Sequence, residues 1–500
     1  MIVSEIVLRL LQLEADMRLI LTTTIASGLL AGFAFAQTPS YTVTDLGALG
    51  PTGQPYFITN NGLAAGTAVV PGGTEHAVLW YKGLRGDIAA PGLGGENSLA
   101  FGANVMGQVI GQAETSTIDP KSEDFCGFKA LGLPVKGNSC LPFLWQYAVT
   151  VPLPTLGGNN GVANQINKYG AIAGVAENST LDPACPAPQK LQFKPVIWED
   201  GVVHELPTFS GDPEGVAFAI NDNGQAVGAS GTCSTFSPQI LVNLQPQHAL
   251  LWETGTMTDL GNLGGTGPGS GTVALNLNNL GEVVGSSQAP SNATHAFLWT
   301  KQSGMRDLGT LPGDVTSAAI AINDNGDAVG VSLDANFNLR GFLLHNGVML
   351  DLNSLLPANS PLFLMLPCSI NSHGQIVGFA VTSSGELHGY IASPAGEVNS
   401  GTNAVVSPLS LTTSQQSVVL DAGASTSASG NLHYFYQVVP GGKLPALLQS
   451  PSDPKATVDF VNGAGLYLIQ LTVTDVTGAT SKSPVIMLNY QPAGTTAGAK

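Results

Sequence analysis

Residues 281–311 read GEVVGSSQAPSNATHAFLWTKQSGMRDLGTL, and close relatives of this stretch recur seven times between about residue 41 and residue 396. Each copy contains a DLGxLG segment, an apolar run that ends in Asn and Gly, a short VVG segment and a HAFLW segment. Four landmarks in a constant order predict an array of equivalent structural units. They indicate an architecture and specify no reaction.

The landmarks align over all seven copies. The DLG position is occupied by Asp45, Asp87, Pro154, Leu206, Asp259, Asp307 and Asp351. The run that ends in Asn and Gly covers residues 58–62, 102–107, 166–170, 220–224, 277–281, 322–326 and 370–374. The VVG segment ends at Gly66, Gly111, Gly174, Gly228, Gly285, Gly330 and Gly378. The HAFLW segment begins at His76, Leu141, Lys194, His248, His295, Arg340 and His388.

Each landmark is a short run of β-branched, aromatic or aliphatic residues, and Gly, Asn, Asp and Ser separate the runs, as in strands and turns. The Asn-Gly pairs predict a tight hairpin between the second and third landmarks, with positive φ angles in the turn. Four strands per copy predict an all-β fold, a seven-bladed β-propeller with one blade per copy. An open β-solenoid of the same repeats is the alternative.

The two ends of the repeat region complement each other. The chain enters its first copy on a DLG strand and leaves its last copy on the segment HGYIA, which has no DLG strand after it. We therefore expect Val43 to Leu49 to pair with the strand around Tyr390 and to close the ring. An open solenoid would leave these two segments apart.

The N-terminal residues are typical of an exported protein. Arg18 precedes the apolar run LILTTTIASGLLAGFAFA, which ends at Ala34-Phe35-Ala36. An apolar core before a small-x-small site predicts a signal peptide over residues 1–36, cleaved after Ala36. Met17 is an alternative start, and a membrane anchor is the alternative interpretation of the apolar run.

Composition limits the partners. Charged residues make up 10% of the chain and the formal net charge is -17. Such a chain lacks the basic surface that attracts phosphate backbones and anionic membranes. We expect a secreted or cell-surface protein whose partner is an extracellular polymer, a glycan or a protein. Neither a nucleic-acid partner nor membrane insertion after signal cleavage is expected, and the oligomeric state is not indicated.

The cysteines predict two disulfides. Cys126 and Cys140 lie in one spacer, while Cys185 and Cys233 lie in the spacers of the next two copies. In an oxidising compartment these four predict the pairs Cys126–Cys140 and Cys185–Cys233. Cys368, in an apolar run, is expected to be a buried free thiol. The residues do not indicate a zinc site, because no CxxC or HxxxH spacing accompanies them.

The spacer between VVG and HAFLW has nine residues in copies one, five, six and seven, but it is longer in copies two to four, over residues 112–140, 175–193 and 229–247. Equivalent loops of a propeller emerge on one face, so these three spacers predict a continuous loop rim, the candidate functional surface. The alternative is that long loops are merely tolerated there. We expect that shortening all three spacers abolishes binding and leaves folding largely intact.

The repeated aromatic and polar residues are interpreted as structural. The last position of HAFLW holds Trp80, Trp145, Trp198, Trp252 and Trp299, which predicts a packing position rather than a sugar-stacking platform. The first position holds His76, His248, His295 and His388, and Leu141, Lys194 and Arg340 interrupt the series, which argues against an axial metal.

The Asp residues of DLG are expected to accept backbone hydrogen bonds in turns. INDNG, at residues 220–224 and 322–326, is interpreted as a hairpin turn rather than a calcium loop, because the other calcium ligands are missing. The sequence predicts no catalytic, cofactor-binding or metal-binding residue, and it contains no nucleophile elbow, phosphate loop or paired carboxylates.

The landmarks DLGxLGG, AINxxGxVVG and HAFLW, best preserved from Met257 to Phe342, resemble the extracellular HAF repeat family. The resemblance covers residues 41–396 and implies a secreted bacterial protein, with no established activity to transfer. After a linker at 397–407, the segments 418–439 and 465–488 resemble a PKD-type immunoglobulin-like β-sandwich, placed at residues 408–490 before a flexible tail at 491–500. Alternation from Tyr467 to Thr474 independently predicts a half-buried strand.

The preferred functional hypothesis is a secreted binding or interaction protein of unknown ligand that presents the loop rim. One alternative is a secreted propeller enzyme that acts on polysaccharide as a lyase or glycosidase, with carboxylates gathered at the axis. Another is a structural cell-surface protein. The scarcity of charged residues argues against the enzyme.

Overall fold

A computed structural model describes residues 39–46, 53–70, 73–81, 84–88, 93–128, 136–146, 149–234, 247–266, 271–395, 404–427, 432–438, 447–461, 463–475 and 480–492. The predicted signal peptide and most of the predicted tail lie outside these ranges. The all-β prediction is confirmed, since strands form nearly all of the regular structure. Over the ranges just given, no helix has the length and apolar character needed to cross a bilayer.

Seven four-stranded antiparallel sheets follow the seven copies of the repeat within the described part of the chain. Sheet 1 contains β2 (Gly53–Ile58), β3 (Ala64–Val69), β4 (Glu75–Tyr81) and β5 (Leu84–Asp87). Sheet 2 contains β6 (Gly94–Ala103), β7 (Val109–Ile118), β8 (Asn138–Gln146) and β9 (Val149–Pro152). Sheet 3 contains β10 (Gly157–Ile166), β11 (Ile172–Leu181), β12 (Leu191–Glu199) and β13 (Val202–Glu205).

The next three sheets repeat this order. Sheet 4 contains β14 (Glu214–Ile220), β15 (Ala226–Gly231), β16 (His248–Glu253) and β17 (Thr256–Asp259). Sheet 5 contains β18 (Thr272–Leu277), β19 (Val283–Gln288), β20 (Thr294–Thr300) and β21 (Gly304–Gly309). Sheet 6 contains β22 (Thr316–Ile322), β23 (Ala328–Leu333), β24 (Leu339–His345) and β25 (Val348–Asp351), and a 3-10 turn at Leu352–Leu355 follows it.

Sheet 7 is built from both ends of the repeat region. It contains β26 (Leu362–Ile370), β27 (Ile376–Thr382), β28 (Leu387–Pro394) and β1 (Tyr41–Asp45). Strand β1 pairs antiparallel with β28, and Asp45 lies opposite Tyr390. The predicted closure is confirmed for the described residues, although residues 47–49 of the expected segment lie outside them. Closure removes an exposed sheet edge.

The sheets form a closed ring around a central axis. Sheet 7 contacts sheet 1 through Asn371, whose Nδ2 donates to the carbonyl oxygen of Thr59 at 3.0 Å. The first strand of each sheet contacts the first strands of its neighbours and is therefore innermost, and the fourth strand is outermost. This arrangement is a β-propeller, and the open solenoid is wrong.

A belt of buried side chains surrounds the axis where the first hairpins turn. Its members are Thr59, Asn104, Asn167, Asn221, Asn278, Asn323 and Asn371, each 3% to 6% exposed. The Nδ2 of each asparagine donates to the carbonyl oxygen of the next belt member, at 2.9 to 3.1 Å. Each Oδ1 accepts the backbone N–H groups two and four residues later. The belt caps the hairpins and joins neighbouring sheets.

The hairpin turns differ from the expected Asn-Gly geometry. In INDNG at 220–224, Gly224 has a φ of 76°, but Asn223 is not among the residues with positive φ. The N–H of Gly224 donates to the carbonyl of Asn221, and the N–H of Asn221 to that of Gln225. These bonds define a three-residue loop, a type I turn followed by a left-handed glycine. The belt asparagine stabilises this loop, because its Oδ1 accepts the N–H groups of Asn223 and Gln225 in the turn.

The glycine of VVG is explained by a bulge. Each first strand skips one residue in its pairing with the second strand, at Tyr56, Phe101, Asn164, Phe218, Leu275, Ile320 and Cys368. The bulge brings the first strand so close that a Cβ at the seven VVG glycines would lie 1.9 to 2.1 Å from one of its carbonyl oxygens. Only glycine fits there.

The C-terminal residues form two further sheets. One contains β29 (Ser410–Thr413), β36 (Ile486–Tyr490), β34 (Gly465–Asp475) and β31 (Leu432–Val438), with β35 (Thr480–Lys482) paired to β34. The other contains β30 (Ser417–Asp421), β33 (Lys455–Asp459) and β32 (Leu447–Gln449). Side chains from both sheets share one hydrophobic core.

Two features of this region differ from the sequence-based expectation. Ala404 and Val406 are fully buried in the core between the two sheets, so the last residues of the predicted linker belong to this domain. The domain is also packed on the propeller, because Leu468 and Met487 share a buried cluster with Tyr81 and Trp145. It is therefore docked against sheets 1 and 2.

Candidate functional site

The loop rim begins with strands that are longer than the corresponding strands of sheets 1, 4, 5 and 6. Strands β6, β7, β10 and β11 each have 10 residues, whereas the first three strands of sheets 1, 4, 5 and 6 have six or seven. Three extra residues add roughly 10 Å of strand. β7 and β11 end in Ile118 and Leu181, each 58% exposed. The rim therefore carries two exposed aliphatic side chains on a raised scaffold.

Both predicted disulfides are present in the structure. Cys126 is bonded to Cys140 within the spacer of sheet 2. Cys185 is bonded to Cys233, which links the spacers of sheets 3 and 4. The three rim spacers thus contain two covalent cross-links, which reduce the number of conformations available to the unfolded chain.

The rim is also part of the protein core. Phe125 and Phe128, from the spacer of sheet 2, are 2% and 0% exposed. Phe125 packs in a cluster with Val162 and Val216 of the innermost strands of sheets 3 and 4. Shortening this spacer to nine residues is therefore expected to destabilise the fold, in contrast to the sequence-based expectation that folding stays largely intact, because it would uncover that cluster. Residues 129–135 and 235–246 of the predicted rim lie outside the described ranges.

A buried network of carboxyl and amide groups ties the rim together. Asp119, Glu123 and Glu177 are 2%, 3% and 0% exposed. Asn160 Nδ2 bridges two of them, donating to Asp119 Oδ2 at 2.8 Å and to Glu177 Oε2 at 3.0 Å. Gln189 Nε2 donates to Glu177 Oε1 at 2.8 Å. The network thus joins spacer residues of sheet 2 to spacer residues of sheet 3.

Glu123 connects the same two spacers through the backbone. Its Oε1 accepts the N–H groups of Lys190 and Leu191 at 2.6 and 2.7 Å, and its Oε2 is buried without a hydrogen-bond partner. Burial raises the pKa of Glu123 above its ordinary value. Burial, and secondly the charge of Glu123, raise the pKa of Glu177 to about 8. Burial therefore favours the protonated forms of Glu123 and Glu177.

This network makes stability depend on pH. Because the folded state raises the pKa of Glu177 from 4.5 to about 8, it binds the proton more tightly than the unfolded chain does. The contribution to stability is complete below pH 4.5 and is lost as the pH rises towards 8, by up to about 1.4 kcal/mol per pH unit. We expect Glu177→Gln to flatten the fall in unfolding free energy between pH 5 and pH 8, measured by urea denaturation. The exposed Glu205→Gln control should keep the wild-type slope, and a wild-type slope in Glu177→Gln would contradict the prediction.

Another buried carboxyl group, that of Glu214, lies beside a disulfide. Glu214 is fully buried, burial raises its pKa to about 8, and its Oε2 accepts the N–H of Phe193 at 2.6 Å. Its ligand atom lies within 4.8 Å of the sulfurs of Cys185 and Cys233. Both sulfurs are in the disulfide, so they are not available as thiolates for a metal.

The four repeated histidines lie away from the axis. His76, His295 and His388 are on third strands, and each Nδ1 is 2.7 to 3.0 Å from the DLG aspartate of the adjacent outer strand. Arg340 occupies the same position in sheet 6 and contacts Asp351 at 3.2 Å. His248 instead contacts Asp212 at 2.8 Å. In sheets 1, 5 and 7 the repeated His and the DLG Asp thus form one pair, although the sequence suggests separate roles for them.

The remaining sequence-predicted residues lie in structural positions. The five tryptophans, Trp80, Trp145, Trp198, Trp252 and Trp299, are 1% to 8% exposed. The Nε1 groups of Trp198 and Trp252 donate to the carbonyls of Pro154 and Pro207. Asp259, Asp307 and Asp351 accept backbone N–H groups two residues later, as expected of turn residues. Cys368 is a free thiol, partly rather than fully buried, and burial raises its pKa to about 12.

No family model and no curated protein matches the chain. Among solved structures, it is similar to a nucleoside hydrolase-related hypothetical protein from Saccharophagus degradans, with 20% identity over 18% of this chain and a TM-score of 0.17, and it spans only 26% of that protein. It is similar to the PKD domain from KIAA 1837 protein, with 22% identity over 21% of this chain and 99% of that domain, and a TM-score of 0.18. It is also similar to a fungal lectin of six-bladed propeller fold from Aleuria aurantia, with 11% identity over 70% of this chain and 91% of that one, and a TM-score of 0.28.

Proposed function

We propose that this chain is a secreted binding protein, a seven-bladed propeller of the HAF repeat type with a PKD-type sandwich, which contacts an extracellular partner through its loop rim. The observation that carries the proposal is the construction of the rim. Two extended sheets, two disulfides and a buried carboxyl-amide network hold Ile118 and Leu181 exposed on a rigid scaffold. Rigid presentation of exposed apolar side chains lowers the entropy cost of binding.

The geometry favours binding over catalysis. The carboxyl groups in and beside the rim whose pKa values are raised, those of Glu123, Glu177 and Glu214, are at most 3% exposed. A general acid or base must come within hydrogen-bond distance of its substrate. Because these groups are buried, a substrate at the surface does not reach them. Two disulfides among the described residues are consistent with an oxidising, extracellular location.

The rim proposal is tested with a double variant, Ile118→Asp with Leu181→Asp. The wild-type protein is screened against a glycan array and against immobilised extracellular polysaccharides and proteins. We expect the wild type to bind a member of the panel. The double variant should bind that partner at least about tenfold more weakly, because each apolar contact residue is replaced by a charged residue that must be desolvated on binding. Both positions are exposed, so the unfolding midpoint should not change.

A matched control separates the rim from general surface effects. Val202 and Val348 are 55% and 56% exposed on the outer strands of sheets 3 and 6. Val202→Asp with Val348→Asp should bind as the wild type does. Equal loss in this control, unchanged binding in the rim variant, or loss only on Phe435→Asp in the C-terminal domain would overturn the rim as the contact surface.

A further inference from the structure

The face opposite the loop rim contains an opening on the propeller axis. The residue after each belt member lies at this opening, and the set is Asn60, Val105, Lys168, Asp222, Asn279, Asp324 and Ser372. We call this set the axial mouth. It opens on a cavity of about 150 Å³ that residues from all seven sheets line. The mouth is on the opposite face because the first hairpin turns and the rim spacers are at opposite ends of the second strands.

The belt side chains beneath the mouth are already hydrogen-bonded to the protein, and Asn278 is the example. Asn278 Oδ1 accepts the N–H groups of Leu280 and Glu282, and its Nδ2 donates to Glu282 Oε2 at 2.7 Å and to the carbonyl of Asn323 at 3.0 Å. Both amide hydrogens and both oxygen lone pairs are used. The belt therefore supports the mouth residues and leaves recognition to them.

Two carboxylates of the mouth, those of Asp222 and Asp324, are fixed by hydrogen bonds and keep some lone pairs open for further donors. Asn279 Nδ2 donates to Asp222 Oδ2 at 3.2 Å and to Asp324 Oδ2 at 3.0 Å, and its N–H donates to Asp324 Oδ1 at 2.8 Å. Asp222 also accepts from the N–H of Lys168 at 3.0 Å, and its Oδ2 lies 3.3 Å from Lys168 Nζ. An ionised carboxylate offers about four lone-pair sites, so roughly three of the eight sites on this pair are open. These carboxylates are fixed acceptors.

The mouth also contains a donor, Lys168, and an exposed ring lies beside it at Tyr169, which is not among the residues that line the cavity. Lys168 Nζ has three hydrogens, of which Asp222 takes one. The same ammonium lies 4.9 Å from the centroid of the Tyr169 ring, and Tyr169, at the tip of the hairpin, is 74% exposed. Fixed acceptors and a donor therefore lie at the mouth, and an exposed aromatic ring lies beside the donor.

We propose that the axial mouth binds the terminal, uncharged hexose of a glycan. Each sugar hydroxyl both donates and accepts, which matches the carboxylates and the ammonium, and the apolar face of a sugar ring packs against an aromatic ring. A cavity near 150 Å³ admits one six-membered ring, which favours a chain end over the middle of a polymer. Two carboxylates in a chain of net charge -17 disfavour a uronate. This site is separate from the rim and independent of it.

In the test, the full-length secreted protein is titrated with methyl glycosides of glucose, galactose and mannose. Anionic glucuronate and zwitterionic glycine are titrated for comparison. Binding is measured by calorimetry and by ligand-observed NMR. We expect one neutral hexose to bind and glucuronate to bind at least about tenfold more weakly. Tyr169→Ala and Asp324→Asn should each weaken hexose binding by about tenfold. Phe435→Ala, an exposed aromatic in the C-terminal domain, and the rim double variant should bind hexose as the wild type does.

Several results would overturn the proposal. These are the absence of binding by all three hexosides, equal affinity for glucuronate, binding of zwitterionic glycine in place of hexose, or unchanged affinity in the Tyr169→Ala protein. Tyr169 is largely exposed, so this variant should fold, and its unfolding midpoint verifies that. The comparison of hexose with glucuronate uses the wild-type protein alone. Failure here leaves the rim proposal standing, because the rim double variant addresses a different face.

Discussion

Gly285→Ala is expected to remove roughly 3 kcal/mol or more from the free energy of unfolding, measured by urea denaturation followed by tryptophan fluorescence. The added Cβ would lie 1.9 Å from the carbonyl oxygen of Val273 and 3.0 Å from Cε1 of Phe297. The nearest atom belongs to the backbone of the bulged strand, so a side-chain rotation cannot relieve the overlap. Sheet 5 would have to separate its first two strands.

The matched control is Gly86→Ala. Gly86 lies on the outer strand of sheet 1, and a Cβ there has no heavy atom within 4 Å. Its φ lies outside the left-handed region, so alanine adopts the same backbone. We expect a change within about 0.5 kcal/mol. Equal destabilisation of the two variants would show that loss of glycine flexibility, and not the close approach at the bulge, is responsible.

Asn278→Ala is expected to destabilise the protein by about 3 kcal/mol, because it leaves several buried polar groups unsatisfied. The N–H groups of Leu280 and Glu282 lose their acceptor, and the carbonyl of Asn323 in the next sheet loses its donor. The measurement is again the free energy of unfolding in urea. The expected decrease in the free energy of unfolding has two sources, which are the lost cap of one hairpin and the lost hydrogen bond between sheets 5 and 6.

Two further variants separate these effects. Asn325→Ala removes one exposed hydrogen bond, to the carbonyl of Ser372, and should cost less than about 1 kcal/mol. Asn278→Thr should recover part of the loss, because Thr59 occupies this position in sheet 1 and its Oγ1 accepts the N–H of Leu63 at 3.0 Å. If Asn278→Thr were no more stable than Asn278→Ala, the cap of the hairpin would contribute nothing and the contact between sheets would account for the whole effect.

Much of the fold follows from the sequence by itself. The four landmarks define four strands in each copy, and the unmatched DLG strand at the start predicts the pairing that is seen between Tyr41–Asp45 and Leu387–Pro394. The spacing of Cys126 and Cys140 suggests the disulfide that is present. These features depend on local periodicity, on turn residues and on the order of segments. All of these are properties of the chain and need no coordinates.

The arrangement of polar side chains was decided by the tertiary structure. The sequence identifies Asn221 as a turn residue, yet its Nδ2 donates to Asn278, in the next sheet. Asp119 and Glu177 belong to no motif in the sequence. Only the packing of sheet 2 on sheet 3 places Asn160 between them. A signal was available for the pairs of His76 with Asp87 and His295 with Asp307, because two strands that are adjacent in a hairpin are also close in sequence.

The physical reason for this division is the range of each interaction. The alternation of apolar and polar residues and the preference of certain residues for turns depend only on neighbouring residues in the chain. Both can therefore be seen in a single sequence. Contacts between sheets join residues separated by a whole repeat, and their partners are defined only when the ring closes. The sequence therefore determines the strands, their order and the closing pair. The tertiary structure decides which asparagines form the belt, which carboxyl groups are buried in the rim and which side chains meet at the axis.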